Sequence, residues 1–160
     1  MLDIGIPRRS ILAVGLLAVS CGGPSPTTVT ATVIATAQVN PNSDNQPSPI
    51  VVRFFGLKSA DTFNGATFFD LFDNETKTLG SDLLSRKEIE MVPGKTTKVD
   101  MSGPPDTPLL GVIAGYRDLE NAKWRGVWTL SSGDSNALVV TLEARAMTLA
   151  KPRSGFLGIF

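Results

Sequence analysis

From Thr28 onward, apolar and polar residues alternate in short segments separated by turn residues. This period-two pattern is that of β-strands showing one face to a core. A first strand is predicted over residues 28–37, with Val29, Ala31, Val33 and Ala35 on one face and Thr30, Thr32 and Ile34 on the other. A second is predicted over 50–57, directly after Pro49. Residues 86–92 and 96–101 read as a hairpin closed by Pro93-Gly94. Ile89, Met91, Val99 and Met101 would face inward, and Glu88, Glu90, Lys98 and Asp100 outward. Residues 109–117 are apolar almost throughout, which predicts a central strand covered on both faces. Strands over 124–130, 137–143 and 146–150 bring the number to eight, enough for an all-β sandwich of two four-stranded sheets. The exception is SADTFNGATFFDLFD at residues 59–73. There Phe68, Phe69 and Phe72 fall at helical spacing with Asp70 and Asp73 turned away, so a short helical excursion packed on the sandwich is expected after strand 2.

The residues before the strands have a different character. Arg8 and Arg9 precede the apolar run 11–19, and Ala18-Val19-Ser20-Cys21 follows, which is the layout of a signal peptide over residues 1–20. A membrane-spanning helix takes about 20 apolar residues, so this run is too short to be one. Cys21 is the only cysteine, which leaves no intramolecular disulfide and no multi-thiolate metal site. Small residues ahead of a lone cysteine resemble the lipobox of bacterial lipoproteins, departing from it at Ala18, where Leu is usual, with Leu17 one place earlier. That resemblance implies cleavage before Cys21, a diacylglycerol on its sulfur and an acyl chain such as palmitate on the new amino terminus. Gly22 follows, rather than the Asp that marks inner-membrane retention in enterobacterial lipoproteins, so the resemblance places the anchor in the outer membrane. A simple secretory signal with an incidental cysteine is the alternative. Arg8-Arg9-Ser10-Ile11-Leu12 faintly resembles a twin-arginine signal, but Pro7 precedes it and no cofactor motif follows, which favours ordinary Sec export. The expected organisation is a signal peptide over 1–20, a flexible lipid tether over 21–27, a β-sandwich domain over 28–150 and a tail over 151–160.

Composition removes most chemistry from consideration. Apolar residues make up 42% of the chain and charged residues 19%, as in a packed globular domain. The formal charge is zero, and loss of Asp3, Arg8 and Arg9 with the signal peptide leaves 13 basic and 14 acidic residues. No basic cluster is present to displace phosphate counterions, so no nucleic-acid partner is expected. The sequence has no histidine, hence no Ser-His-Asp or Cys-His arrangement and no imidazole metal ligand. Asp61, Asp70, Asp73, Asp82 and Asp118 are scattered over turns and a helix face, where caps and turn-forming account for them better than a catalytic carboxylate pair. Asp73-Asn74-Glu75 lacks the ligand spacing and central glycine of a calcium loop. The chain is therefore expected not to be an enzyme, and to take no cofactor, metal or small-molecule substrate. Trp124 and Trp128 are expected in the sandwich core. Arg117-Asp118 and Arg125 are expected to form an ion pair across the turn between strands 5 and 6. In the tail, the apolar run 156–160 is read either as an interface or as a segment docking back onto the sandwich.

One polar stretch has the composition of a linker: QVNPNSDNQPSPIVV, residues 38–52. It lies between two strands expected to pair, and not between domains, so a loop with a task is the better reading. The loop comprises Val39, Asn40, Pro41, Asn42, Ser43, Asp44, Asn45, Gln46, Pro47, Ser48 and Pro49. Function concentrates in long loops on rigid scaffolds, and three prolines lower the entropy lost on ordering. Asn40, Asn42, Ser43, Asp44, Asn45 and Gln46 are expected to offer hydrogen-bonding groups at its tip.

Taken in order, VVRFFGLKS at 51–59, FNGATFFDLFD at 63–73, LGSDLL at 79–84, the Pro93-Gly94 turn, LLGVIAGYRDL at 109–119 and AKWR at 122–125 resemble the outer-membrane lipoprotein family of the type VI secretion system, the TssJ type. Gly56, where the family often has a polar residue, and the tail after Ala150 are departures. The resemblance implies a transthyretin-like eight-stranded sandwich, lipid-anchored at the outer membrane and facing the periplasm. It also implies a structural role: binding the periplasmic C-terminal region of the large inner-membrane component through the loop between strands 1 and 2, residues 39–49 here. The alternative function is a lipid-anchored periplasmic carrier holding a small ligand between its sheets.

Overall fold

The computed structural model describes residues 22–153. The expected signal peptide, the lipidation site Cys21 and the apolar run 156–160 lie outside them. The element order is β1 (Thr27–Ala35), β2 (Ile50–Leu57), α1 (Asp61–Gly65), α2 (Phe68–Asp73), α3 (Glu75–Leu79), a 3₁₀ turn (Gly80–Asp82), β3 (Leu83–Met91), β4 (Thr96–Gly103), β5 (Leu109–Ala114), β6 (Arg125–Thr129), β7 (Ser135–Leu142) and β8 (Met147–Ala150). The eight strands form two four-stranded sheets, ordered β4-β1-β7-β8 and β3-β2-β5-β6. Every neighbouring pair is antiparallel except β1 and β7, which run parallel from Thr28↔Ser135 to Ala35↔Leu142.

Alternation along the strands sets the layers. Val29, Ala31, Val33 and Ala35 point inward as predicted and meet Ile50, Val52, Phe54, Leu110, Val112 and Ala114 of the opposite sheet. The other face of the β3-β2-β5-β6 sheet carries Phe55, Leu57 and Ile113, and the helical excursion buries Phe63, Phe68, Leu71 and Leu79 against it. Two cores thus enclose β5, which explains its continuous apolar run. Gly111 of β5 lies directly beneath α1. A Cβ there would come within 2.8 Å of Leu57 Cδ1 and 2.9 Å of the Phe63 ring.

The excursion runs to Asp82, further than expected, and is held by two arginines. On β2, Arg53 donates to the carbonyl of Phe72, pairs with Glu75 and Glu88, and stands 4.0 Å over the Phe72 ring. On β6, Arg125 donates to the carbonyls of Phe63 (3.0 Å) and Ala66 (2.9 Å) while stacking on Trp124. Both satisfy carbonyls at helix ends, which lack partners within short helices. Thr67 and Asp70 form a reciprocal cap at the start of α2, and the Thr67 hydrogen bonds hold the Asp70 carboxyl below its ordinary pKa. Phe69 does not join its aromatic neighbours in the core: it is 61% exposed, and Leu71 takes the buried position.

Three further expectations need correction. β3 and β4 are not a hairpin, because β3 pairs with β2 in one sheet and β4 with β1 in the other. Pro93-Gly94 does make a tight turn, with Lys95 N–H donating to Val92 O (3.2 Å) and Gly94 at φ 75°. The turn is tied to β1, however, through Ala35 N–H to Lys95 O (2.9 Å) and Gly94 N–H to Thr36 O (3.2 Å). Met91 and Val99 therefore face the same core from opposite sheets. Likewise β1 and β2 do not pair: the loop between them carries the chain from one sheet to the other. Finally, Asp118 pairs with Arg145 of the β7–β8 turn (2.9 Å), because Arg125 is occupied by helix carbonyls. Trp128 borders the inter-sheet core, whereas Trp124 touches both cores and stands edge-on to Phe68 at 5.3 Å.

Candidate functional site: the β1–β2 loop end

The register places four connections at one end of the sandwich. Ala35 pairs with Leu142, Ile34 with Thr96, Ile50 with Met91 and Ile113 with Arg125. The loop after β1 therefore shares its end with the β3–β4, β5–β6 and β7–β8 connections. Thr27, the last residue of the expected tether, is the first residue of β1 and pairs with Gly103 at the opposite end.

The loop is built from two asparagines. Asn40 sits at φ 49°, a left-handed conformation that Asn tolerates better than most residues, and is 3% exposed. Its side chain spans the loop base, donating through Nδ2 to Pro49 O (2.8 Å) and accepting the Arg117 N–H on Oδ1 (2.8 Å). Ser48 N–H donates to Val39 O (3.1 Å), and Val39 and Ser48 are buried beside it. Nearer the tip, Asn42 Oδ1 accepts the N–H groups of Asp44 and Gln46, both at 2.9 Å. Asn42 N–H donates to Gln46 O (2.9 Å) and Asn45, at φ 57°, donates to Asn42 O (3.0 Å). Residues 42–46 are thus closed on themselves before any partner arrives.

This divides the predicted loop residues by role. Val39, Asn40 and Ser48 form a buried base, Asn42 is an internal staple, and Ser43, Asp44, Asn45, Gln46 and Pro47 are exposed at the tip. Asn40 does not offer a free amide as expected, because Pro49 O and the Arg117 N–H use it, and the Oδ1 of Asn42 is taken by bonds within the loop. Pro41 and Pro49 flank the fixed segments, where a preset φ costs nothing further.

Pro41, Asn42 and Ser43 also form one wall of an open cleft whose other wall is Arg117, Asp118 and Arg145. Asn121 Nδ2 donates to Asp118 Oδ1 (2.8 Å) and Arg145 Nε to Asp118 Oδ2 (2.9 Å). Those bonds, with Asn121 first, hold the Asp118 carboxyl below the ordinary aspartate range. The place of Arg117-Asp118 at the end of a strand marks it in the sequence, but its proximity to the loop is not legible there, because Arg145 and Asn40 lie far from it along the chain.

Between the sheets there is little room for a ligand. A void between the sheets, lined by Val29, Gly56, Ser85, Met101, Gly103 and Leu110 among others, is about 10 Å³, room for a single water. Among the described residues no group of three or more His, Cys, Asp or Glu could hold a metal ion, and no helix is long and apolar enough to cross a membrane.

Residues 27–145 match the profile of the T6SS-SciN family, type VI secretion lipoprotein (VasD, EvfM, TssJ). No curated protein sequence matches the chain. The T6SS lipoprotein TssJ1 from Pseudomonas aeruginosa superposes with a TM-score of 0.76 at 32% identity, covering 81% of this chain and 98% of that one. Serratia marcescens Lip, a membrane-bound component of the type VI secretion system, superposes at 0.74 with 27% identity, covering 81% of this chain and 99% of Lip. A chain in the structure of the T6SS protein TssM C-terminal domain from EAEC superposes at 0.66 with 25% identity, covering 76% and 99%.

Proposed function

Because this chain belongs to the type VI secretion lipoprotein family, we propose that it is the outer-membrane lipoprotein of a secretion membrane complex. In this reading its loop of residues 39–49 holds the periplasmic C-terminal region of the large inner-membrane component. The likeness to a chain in a structure of the TssM C-terminal domain supports that choice of partner. The observation that carries the reading is the loop's construction: an internally bonded, proline-flanked loop with an exposed tip, at the end of the sandwich away from the tether. Nine β1 residues separate the two ends, about 30 Å at about 3.3 Å per residue. Lipid on Cys21 would hold one end at the outer membrane, stably when at least two acyl chains are attached, and leave the loop end reaching into the periplasm. A loop ordered before binding loses little entropy on docking, so its exposed groups contribute more of their interaction to affinity. The small void between the sheets gives the carrier alternative no support.

The test is deletion of the gene with complementation. Loss of type VI tube-protein secretion at normal growth, restored by the wild-type chain and not by Cys21→Ser, is expected. Secretion at the wild-type level in the deletion strain would refute the role.

A further inference from the structure

The cleft beside the loop carries more positive charge than it neutralises. Its charged groups are Arg117, Asp118 and Arg145, and Asp118 is committed to Arg145 and Asn121. Arg117 is exposed, and its guanidinium makes no ion pair among the described residues. Yet its backbone is fixed, since the Arg117 N–H is held by Asn40 Oδ1 at the loop base (2.8 Å). A single asparagine thus joins the two walls of the cleft, and the loop tip and Arg117 form one continuous surface. The Ser43 hydroxyl adds an exposed donor on the facing wall.

A guanidinium is a planar fork of N–H donors that matches a carboxylate bidentately, and arginine is enriched where interfaces concentrate their binding energy. With its backbone pinned and no ion pair to break among the described residues, Arg117 is placed to engage a carboxylate from outside. Resting on the reading that this loop binds the inner-membrane component, we propose that the docking surface continues past the loop into this cleft, where Arg117 receives a carboxylate side chain of that partner. The loop tip would then supply shape and hydrogen bonds. Arg117 would supply charge recognition and orientation, with the paired Arg145 and Asp118 beside it on the same wall.

The experiment measures binding of the periplasmic C-terminal region of the inner-membrane component to the full mature lipoprotein, across a sodium chloride series. Arg117→Glu should weaken binding roughly tenfold or more near physiological salt, mainly through a slower association rate, with a flatter salt dependence. Arg117→Lys, which keeps the charge and loses the fork, should recover most of the association rate but not the full residence time. The thermal midpoint of Arg117→Glu should stay that of the wild type, because among the described residues only the backbone of Arg117 is bonded. A variant with residues 43–47 replaced by Gly-Gly separates the two readings. If it fails to bind while Arg117→Glu binds with wild-type affinity and salt slope, the cleft proposal is overturned and the loop reading stands. If the shortened variant binds like the wild type, the loop reading fails and the proposal with it.

Discussion

Asn40→Ala is the substitution on which the account of the loop makes its most demanding prediction. The side chain makes two hydrogen bonds across the loop base, to Pro49 O and from Arg117 N–H, each 2.8 Å. A typical hydrogen bond contributes about 1 kcal/mol net, and a buried group left unpaired costs about 1–3 kcal/mol. Alanine at φ 49° adds about 1 kcal/mol of backbone strain that asparagine tolerates better. The expected loss is about 3 kcal/mol, which for a domain of this size lowers the thermal midpoint by about 10 °C. Asn40→Gly separates the two causes, since glycine accepts the left-handed conformation and leaves both hydrogen bonds broken. It should recover about 1 kcal/mol and no more. Urea unfolding of wild type, Asn40→Ala and Asn40→Gly, with slopes compared to confirm two-state behaviour, measures both effects. An Asn40→Ala variant within about 0.5 kcal/mol of wild type, the range of ordinary surface substitutions, would show that the loop base does not depend on this side chain.

The remaining predictions concern the scaffold. Gly111→Ala drives a methyl into Leu57 and the Phe63 ring and should cost about 1–3 kcal/mol in urea unfolding, while a neutral result would show that α1 can lift without penalty. Arg125→Ala leaves the Phe63 and Ala66 carbonyls without their donor, so amide exchange should accelerate in α1 and α2 ahead of the strands; equal protection would refute the clamp. The folded-state pKa of Asp118 is depressed, so its contribution is fully present above the ordinary aspartate value of about 3.9 and is lost as pH falls through the folded value. Asp118→Asn should therefore lose stability at neutral pH and show a shallower decline on acidification; an unchanged acid profile would contradict the assignment.

The strands were readable because a period of two states which residues face a core. Val29, Ala31, Val33 and Ala35 faced inward as read, and so did the continuous apolar run of β5 under two layers. The same period does not say which strand is the neighbour. Pro93-Gly94 closes a tight turn whether its flanks pair or diverge into different sheets, and here the deciding bonds come from Ala35 and Thr36, far back in the chain. The parallel pairing of β1 with β7 is similarly non-local, with Thr28 opposite Ser135. At the loop, composition located the feature but not its interior. Asn, Ser, Asp and Gln have the same character in a solvated linker as in a bonded loop, and only the fold reveals that Asn40 reaches Pro49 and Arg117. Arg53 and Arg125 escaped notice as clamps because the carbonyls they bind belong to helices distant in sequence.

The central claim is that the exposed tip of the β1–β2 loop holds the inner-membrane component. Its most direct test is copurification of the periplasmic C-terminal region of that component with the lipoprotein whose residues 43–47 are replaced by Gly-Gly, after circular dichroism and thermal unfolding confirm the sandwich is intact. The account predicts a folded lipoprotein that no longer retains the partner. A folded variant that retains it as the wild type does would contradict the claim.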